Sequence, residues 1–227
     1  MTAAYNRVDS ASMPGQRPDP TPIYRLVHAD NLAICLNRRA LHAPNHTPAD
    51  GLVYRTIHRV DVQESRRLRA ITKGPRGTAH DYVPFYFGPR SVMLFQLHTG
   101  WVAGYNEGQE PLVHLVSTCQ AISGAELRFV FTDGHGLAKF TACFDDLADF
   151  DKVDWEAAYA RWWNDTPEDM DRQRRKQAEF LVHQSLPWEL LTMIGVYNDA
   201  ARRRVEAELA AHHCEAPPVQ VRTEWYY

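Results

Sequence analysis

The fourteen residues from His80 to Met93, HDYVPFYFGPRSVM, constrain the fold of this chain more than any other segment. Their aromatic side chains surround Pro84, and the run ends at Gly88-Pro89, where a strand is expected to break. Because buried strands usually alternate or are rich in Val and Ile, this composition indicates an aromatic strand of a special kind. It is either an edge strand capped by a turn or one wall of a site. The polar residues at its two ends are His80, Asp81, Arg90 and Ser91.

Composition limits the class of protein. The chain of 227 residues has no Ser/Gly-rich or Pro-rich linker in its middle, which favours one domain. The net charge of −3 gives no global signature of nucleic-acid binding, so contact with a polyanion requires a local basic patch. The 4 cysteines lack CxxC or zinc-type spacing, which argues against a disulfide framework or structural metal and favours a cytoplasmic location.

Neither a membrane span nor a signal peptide is predicted. No apolar run approaches the ~18 to 20 residues of a transmembrane helix. Residues 1–20 are rich in Pro, Ser and Asp and lack the hydrophobic centre of a signal peptide. This segment is predicted to be a disordered leader.

The hydrophobic pattern predicts a mixed α+β domain without the regular βαβ repeat of a doubly wound sheet. Besides the aromatic strand, strands are predicted at residues 23–28, 111–118, 127–132, 178–182, 192–197 and 219–221. Helices are predicted at residues 30–39, 90–98, 154–163, 168–177 and 198–212, and a short helix or turn at residues 61–68. Residues 42–61 are predicted to form a long loop with at most a short turn, and residues 133–136 (DGHG) a turn.

Several familiar catalytic motifs are absent from the sequence. It contains no GxGxxG after a strand, no phosphate-binding P-loop, no GxSxG nucleophile elbow and no HExxH metal pair. The 11 histidines show no recognised metal spacing, and His212-His213, at the end of a helix, is more typical of a solvated or capping pair.

Three polar residues are candidates for a site. Glu179 follows a cationic run and begins the strand-like EFLV, so it either lies in a cleft beside substrate phosphates or pairs with a surface cation. His28 ends the first strand, where its ring can meet a ligand or make a structural hydrogen bond. Arg66 lies in a charged run that is solvated by default, but its position before the aromatic strand suits an anionic ligand.

The order of these segments resembles the DarT family of DNA ADP-ribosyltransferase toxins. The resemblance covers about residues 22–227 and is carried by the combination of HDYVPFYF, PRS and, much later, EFLV. Its other parts are IYRLVH, Asn37, the Arg66-Arg67 pair, the TDGH segment at residues 132–135 and PWELLTMIGVYN. It implies a compact single-domain α+β fold over residues 21–227, related to poly-ADP-ribose polymerases, with a mixed central sheet.

The resemblance also implies the chemistry. Family members use NAD as co-substrate, without a metal, and attach ADP-ribose to a base in single-stranded DNA, typically thymine. Glu179 matches the catalytic glutamate, because a carboxylate can stabilise the positive charge that develops on the ribose and hold a ribose hydroxyl. Arg66 matches the essential arginine, with a one-residue ambiguity towards Arg67. It would bind the pyrophosphate or favour the deprotonated form of the attacking base nitrogen.

Further roles follow from the same resemblance. NAD would contact His28, Asn37, Arg66 and Tyr86, and DNA would contact Arg90, Met93 and His135. A groove for single-stranded DNA needs cations and stacking platforms. Its candidates are Arg90, Arg172, Arg174, Arg175, Trp162 and Trp163, although core packing of the two tryptophans is an equally good explanation.

The implied partners are single-stranded DNA and a cognate macrodomain antitoxin that removes the ADP-ribose. A cytoplasmic monomeric toxin without a membrane partner is expected. Two alternatives remain open: guanine as the acceptor base, and a catalytically silent module that binds NAD or nucleic acid.

Overall fold

The computed structural model describes residues 15–213 and 215–227, which form a large mixed sheet with helices around it. The strands are β1 (Pro22–His28), β2 (Ala40–His42), β3 (Tyr82–Tyr86), β4 (Leu112–Thr118), β5 (Phe129–His135), β6 (Cys143–Phe144), β7 (Ala178–His183), β8 (Ser185–Pro187), β9 (Met193–Val196) and β10 (Val219–Val221). Eight of them follow the order β10-β9-β4-β1-β3-β7-β5-β6, and β2 pairs with β8 in a separate ribbon. Only the β10–β9 pair is parallel among the strand pairs described. The predicted α+β class with a mixed central sheet is confirmed.

The α-helices are short, apart from the last. They are α1 (Leu32–Arg38), α2 (Val60–Leu68), α3 (Val92–His98), α4 (Cys119–Gly124), α5 (Trp155–Tyr159), α6 (Arg172–Lys176) and α7 (Asp199–Ala211). Side chains cap several of them: the Ser91 hydroxyl accepts from Leu94 N at 3.1 Å in α3, and Asn198 Oδ1 accepts from Ala201 N at 2.9 Å in α7. Such caps satisfy backbone donors that a helix leaves unpaired at its start.

The aromatic strand β3 lies inside the sheet, between β1 and β7, so the edge-strand interpretation is wrong. Its alternation explains its composition: Val83 and Phe85 face the main core, whereas Tyr82, Pro84 and Tyr86 face a cavity. Proline has no N–H to donate to a neighbouring strand. Pro84 is nevertheless tolerated in this interior strand, because β1 and β3 pair only at Tyr24↔Tyr86. Beyond that pair β1 and β3 separate, and Arg25 Nη1 donates to the Pro84 carbonyl at 3.0 Å.

The main core lies on the opposite face of β3 from this cavity. Phe87 is fully enclosed there, and its ring makes edge contacts with Phe131, Phe150, Trp155 and Phe180 at centroid distances of 5.1–6.4 Å. Aromatic pairs favour this geometry. The sheet strands that carry the cavity residues are therefore anchored from behind.

A second aromatic group, the His114 cluster, consists of Tyr24, His114, Trp225 and Tyr226. The His114 ring lies 5.1 to 6.3 Å from the other three rings, in edge geometry. Gly195 on β9 is required there, because a Cβ atom at this position would lie 2.4 Å from the Trp225 ring.

The predicted turn at residues 133–136 is wrong, because β5 continues through Asp133 and Gly134 to His135. The register between β5 and β7 shifts between Phe131 and His135, which marks an irregularity in the strand. Arg174 stabilises the extended path, because its Nη1 lies 3.1 Å from Asp133 Oδ1. Glycine is needed at position 134, since a Cβ atom there would lie 2.3 Å from Arg174 Nη1. The chain turns at residues 136–140 instead.

Two predicted helices are shorter than expected. The helix predicted at residues 154–163 ends at Tyr159, and that predicted at residues 168–177 is only Arg172–Lys176. The segment between them is irregular, because the Lys176 ammonium donates to the carbonyls of Ala158 and Ala160 at 2.8 and 2.9 Å and thereby replaces continued helical bonding. Helix α4 and strands β2, β6 and β8 were not predicted, since each is too short to show periodicity.

The loop after β2 contains a short 3-10 turn at Pro44–His46 and is otherwise irregular up to α2, as predicted. It is held against α1 by polar contacts. Arg38 donates two hydrogen bonds to the Asp50 carboxylate at 2.7 and 2.6 Å. The Asn31 side chain bonds both the amide and the carbonyl of Arg55, at 2.7 and 2.9 Å.

Of the predicted leader, residues 1–14 lie outside the described residues, whereas residues 15–20 are described. Within those six residues the Arg17 guanidinium lies over the Phe150 ring, 5.3 Å from its centroid. Across residues 15–213 and 215–227, no helix combines the length and apolar character needed to span a membrane.

Candidate active site

A buried ion pair joins α2 to β7. Nη1 of Arg66 lies 2.9 Å from both carboxylate oxygens of Glu179. The two side chains are only 9% and 3% exposed, whereas Arg67 is exposed on the outer face of α2. The geometry thus resolves the ambiguity between the two arginines in favour of Arg66 as the residue beside Glu179.

Each partner makes the burial of the other tolerable. Burial alone works to lower the pKa of Arg66, but the adjacent Glu179 carboxylate outweighs it, and the pKa lies above its ordinary value. Nη2 of Arg66 is buried and has no hydrogen-bond partner among the described residues. Because a buried donor without a partner is costly, this atom is available for a ligand that enters from the cavity.

The pair lies on the wall of a cavity of about 680 Å³ that opens where β1 and β3 separate. The charged and titratable side chains that line it include four arginines and four histidines, and Glu179 supplies the one carboxylate among the described lining residues. They are Arg25, Arg55, Arg59, Arg66, His42, His58, His80, His135 and Glu179. The cavity is therefore strongly cationic although the whole chain carries a net charge of −3.

The backbone around Glu179 is fixed by Thr132 on the neighbouring β5. The Thr132 hydroxyl accepts from Glu179 N at 3.0 Å and donates to the Gly134 carbonyl at 2.7 Å. Gly136 lies beside the carboxylate, and a Cβ there would be in van der Waals contact with Glu179 Oε2, at 3.6 Å. The DGHG segment therefore shapes the floor of the cavity next to Glu179.

His135 and Tyr86 flank the carboxylate. His135 lines the cavity, and burial lowers its pKa although Glu179 opposes that shift. Tyr86 is the direct cross-strand partner of Glu179 in the β3–β7 ladder, which puts both side chains on the same face of the sheet. Burial and the Glu179 charge raise the pKa of Tyr86, so its hydroxyl is protonated at neutral pH.

Helix α3 forms the adjoining wall. Met93 and Gln96, one turn apart, both line the cavity, and the Ser91 cap fixes the start of this helix. Five of the sequence-predicted site residues are thus brought together around one cavity: Arg66, Tyr86, Met93, His135 and Glu179.

The other three predicted site residues lie outside the cavity lining. His28 is buried at the end of β1, where its Nδ1 accepts from Asp30 N at 3.2 Å and its Nε2 lies 3.7 Å from Glu107. Asn37 is exposed on α1. Arg90 is partly buried, and its Nη1 donates to the Glu224 carbonyl at 2.9 Å.

The predicted basic groove is also altered. Arg174 pairs with Asp133 and Asp171, and Arg175 with Asp154 and Asp169, so these cations are neutralised locally. Trp163 is 8% exposed, which supports the core-packing explanation for that residue. The side chain of Trp162 is 78% exposed and the Arg161 guanidinium lies 5.9 Å from its ring centroid.

Several residues of the cavity lining were not predicted from the sequence, among them Arg25, Asn31 and His58. Arg25 had a signal, since it is the one charged side chain within the apolar strand IYRLVH. Burial lowers its pKa, and the nearby Arg66 adds to that shift, which indicates that the cavity brings two guanidinium groups together. Asn31 ends a short 3-10 turn before α1 and His58 lies in an irregular segment, and neither had such a signal.

No group of three or more His, Cys, Asp or Glu side chains with metal-binding geometry occurs among the described residues.

Comparison with known proteins agrees with this geometry. Residues 24–227 match the family described as "ssDNA thymidine ADP-ribosyltransferase, DarT". A DNA ADP-ribosyl transferase of Thermus sp. (strain 2.9) is 42% identical over 211 residues, which cover 92% of this chain and 98% of that protein. Another, from Escherichia coli O127:H6, is 33% identical over 211 residues, covering 92% of this chain and 95% of that protein.

Solved structures resemble the whole fold. Thermus sp. 2.9 DarT in complex with ADP-ribosylated single-stranded DNA superposes with a TM-score of 0.88 at 40% identity, covering 95% of this chain and 100% of that chain. The same Thermus protein in complex with NAD+ gives a TM-score of 0.83 over 93% of this chain and 100% of that chain.

Fold, site and relatives together define an NAD-dependent DNA ADP-ribosyltransferase, the class expected from the sequence. Within that class, the chain belongs to the DarT family.

Proposed function

We propose that this protein transfers ADP-ribose from NAD to thymine in single-stranded DNA, releases nicotinamide, and acts as the toxin of a toxin–antitoxin system. The observation that carries this proposal is the buried Arg66–Glu179 pair on the wall of a cationic cavity large enough for a dinucleotide. Such pairs are seldom net contributors to stability, so a catalytic use explains their retention better.

The cavity suits NAD through its charge. A pyrophosphate carries two negative charges, and arginine forks bind phosphate oxygens well. Arg25, Arg59 and the unpartnered Nη2 of Arg66 are the groups that we assign to it. Tyr86, beside Glu179, is assigned to the nicotinamide or its ribose. NAD contacts of His28 and Asn37 rest on the family resemblance alone, because neither side chain lines the cavity.

The transfer proceeds as a substitution at C1′ of the nicotinamide ribose. The C1′–N bond breaks and nicotinamide leaves with the bonding electrons, while a ring nitrogen of the base forms the new bond to C1′ and loses its proton. Positive charge develops on the ribose, and the Glu179 carboxylate stabilises it. Arg66 keeps that carboxylate oriented, because one of its nitrogens lies 2.9 Å from both oxygens.

The acceptor strand enters beside α3 and the segment between α5 and α6. Met93 is assigned to the acceptor base and His135 to its edge, since both line the same cavity as Glu179. The exposed Trp162 ring, with Arg161 beside it, is a stacking platform for a flanking base. Arg90 is also assigned to the DNA backbone. Because its Nη1 donates to the Glu224 carbonyl, the other N–H groups of its guanidinium would make this contact.

The experiment is a panel of single-stranded oligonucleotides that differ only in the base at one position, incubated with NAD and analysed by mass spectrometry. We expect the mass of one ADP-ribose on the thymine oligonucleotide and none on the others. Modification of the guanine oligonucleotide alone would show that guanine, and not thymine, is the acceptor base. Folded protein that modifies no oligonucleotide would favour the silent binding module. Removal of the ADP-ribose by a cognate macrodomain protein would support the proposed toxin–antitoxin role.

A further inference from the structure

We propose that the Tyr227 hydroxyl is a positioning group that sets the spacing between the two walls through which single-stranded DNA enters. The inference rests on the proposed function and deepens it, because it concerns how the same site is held open for its DNA substrate. Tyr227 itself is not among the residues that line the cavity.

The hydroxyl joins two segments that are far apart in sequence. Its oxygen accepts from Trp163 Nε1 at 2.9 Å and donates to the Arg90 carbonyl at 3.2 Å, with the Ser91 carbonyl at 3.5 Å. Burial raises the pKa of Tyr227, so the proton needed for this donation is present at neutral pH.

Each segment precedes a helix that contributes to the cavity lining. Ser91 caps α3, whose Met93 and Gln96 line the cavity. Trp163 follows the exposed Trp162 in the irregular segment before α6, and Gln173 of that helix also lines the cavity. Behind the cavity the two walls are therefore joined by the Tyr227 hydroxyl and by an edge contact between Phe95 of α3 and Trp163, whose ring centroids lie 5.6 Å apart. The hydroxyl supplies the hydrogen bonds of this junction.

Tyr227 is also held by contacts that do not involve its hydroxyl. Gln109, which is buried, donates from Nε2 to the Tyr227 carbonyl at 2.5 Å and accepts from Tyr227 N at 3.0 Å. The ring also makes an edge contact with Phe95 at 5.2 Å. Phenylalanine at this position would keep these contacts and lose only the hydroxyl.

Loss of the hydroxyl leaves Trp163 Nε1 without its acceptor. Because a buried donor without a partner is costly, the segment is expected to move until this group meets water. That movement changes the DNA entrance. It leaves unchanged the side of the cavity formed by Arg25, Asn31 and Tyr54, which belong to other segments.

The test compares Tyr227→Phe with Tyr226→Phe. Tyr226 is the control, because its hydroxyl likewise donates to a backbone carbonyl, that of Leu112 at 2.9 Å, but within the His114 cluster. Oligonucleotide affinity is measured by fluorescence anisotropy, independently of transfer, and KM is measured separately for DNA and NAD. We expect Tyr227→Phe to weaken DNA binding and raise the DNA KM about tenfold, with the NAD KM and kcat within about twofold. Tyr226→Phe should change neither KM more than about twofold, whatever its effect on unfolding.

Equal changes in the two variants, or a change confined to the NAD KM, would overturn the inference and leave the proposed function intact. Wild-type protein that binds the oligonucleotide but does not modify it would overturn the proposed function. The effect of Tyr227→Phe on affinity would still decide the positioning role in that case. Absence of any oligonucleotide binding by the wild type would overturn both.

Discussion

The cavity and the His114 cluster bury polar groups in opposite ways. On the cavity wall, Arg66 and Glu179 remain buried because each supplies the other with an opposite charge. In the cluster, neither ring nitrogen of His114 has a hydrogen-bond partner among the described residues, and burial lowers its pKa to about 3. His114 is therefore neutral and packs as an aromatic ring. A buried charge beside a cavity indicates function, whereas a buried neutral histidine among rings indicates packing.

The largest expected effect comes from breaking the ion pair. Arg66→Ala leaves the Glu179 carboxylate buried and unpaired, which should cost about 3 to 5 kcal/mol of unfolding free energy and abolish transfer. Urea denaturation measures the first effect and an NAD-dependent transfer assay the second. The double variant Arg66→Met/Glu179→Leu should recover most of the stability and none of the activity. Recovery of activity in the double variant would contradict a catalytic role of the pair.

Lys176 is an intermediate case, because its ammonium is buried but bonds only to the carbonyls of Ala158 and Ala160 among the described contacts. Burial lowers its pKa from 10.5 to about 7. Between these values the unfolded chain holds a proton that the folded protein has released, so stability rises with pH across this window. We expect Lys176→Met to remove a rise of about 1 kcal/mol per pH unit.

The measurement is the difference in unfolding free energy between wild type and Lys176→Met at several pH values from 7 to 10. Below pH 7 both states of the wild type hold the proton, and the difference should be constant. A difference that stays constant over the whole range would contradict this account of Lys176.

In the His114 cluster, His114→Leu should stabilise the protein, since it removes buried polar atoms without partners, by about 1 kcal/mol at pH 7. The gain should grow by about 2 kcal/mol at pH 5, because the folded pKa lies below the unfolded one and only the unfolded chain takes up a proton as pH falls below 6.5. Thermal unfolding at the two pH values tests this, with the exposed His98→Leu as control. A gain that is equal at both pH values would show that folded and unfolded chains take up the same number of protons at His114, and would contradict a lowered pKa.

The smallest effect is expected from the loop that borders the cavity. Asn31→Ala removes two hydrogen bonds to the Arg55 backbone, so it should raise the NAD KM about fivefold, equivalent to about 1 kcal/mol. Asn37→Ala is the matched control on the exposed face of the same region. If Asn37→Ala raises the NAD KM instead, the contact implied by the family resemblance would be correct and the role assigned to the Asn31 tether would be wrong.

The sequence predicted those parts of the molecule whose signal is local or carried by a long motif. The existence of strand β3, the capped helix α7 and the long loop before α2 were all predicted from it, whereas the interior position of β3 was not. The DGHG segment was misassigned, because Arg174, more than thirty residues away, holds it extended. Strands β2 and β8 could not be predicted, since their pairing depends on tertiary position alone.

For the site, residue identity was easier to predict than environment. Glu179 and Arg66 were singled out, but local sequence could not show that they meet, because 113 residues separate them. The same holds for Arg174 and Arg175, whose charge run predicted a DNA groove but whose acidic partners lie on other segments. Arg25 is the one charged side chain in the apolar strand IYRLVH, but the sequence does not show which groups it faces, so its place in the cavity was not predicted.

The central claim is that the Arg66–Glu179 pair is the catalytic centre for transfer of ADP-ribose to DNA. The most direct measurement is the rate of ADP-ribose addition to a thymine-containing single strand, followed by mass spectrometry, for wild type and Glu179→Gln. Glutamine has nearly the same shape and its Oε1 can still accept from Arg66, but it leaves the buried arginine charge unpaired. The folded state and the NAD affinity of the variant are therefore measured beside the rate, by thermal unfolding and by NAD titration. The rate should fall about 10²- to 10³-fold because the charge that stabilises the transition state is gone. A Glu179→Gln variant with the wild-type rate would contradict the claim.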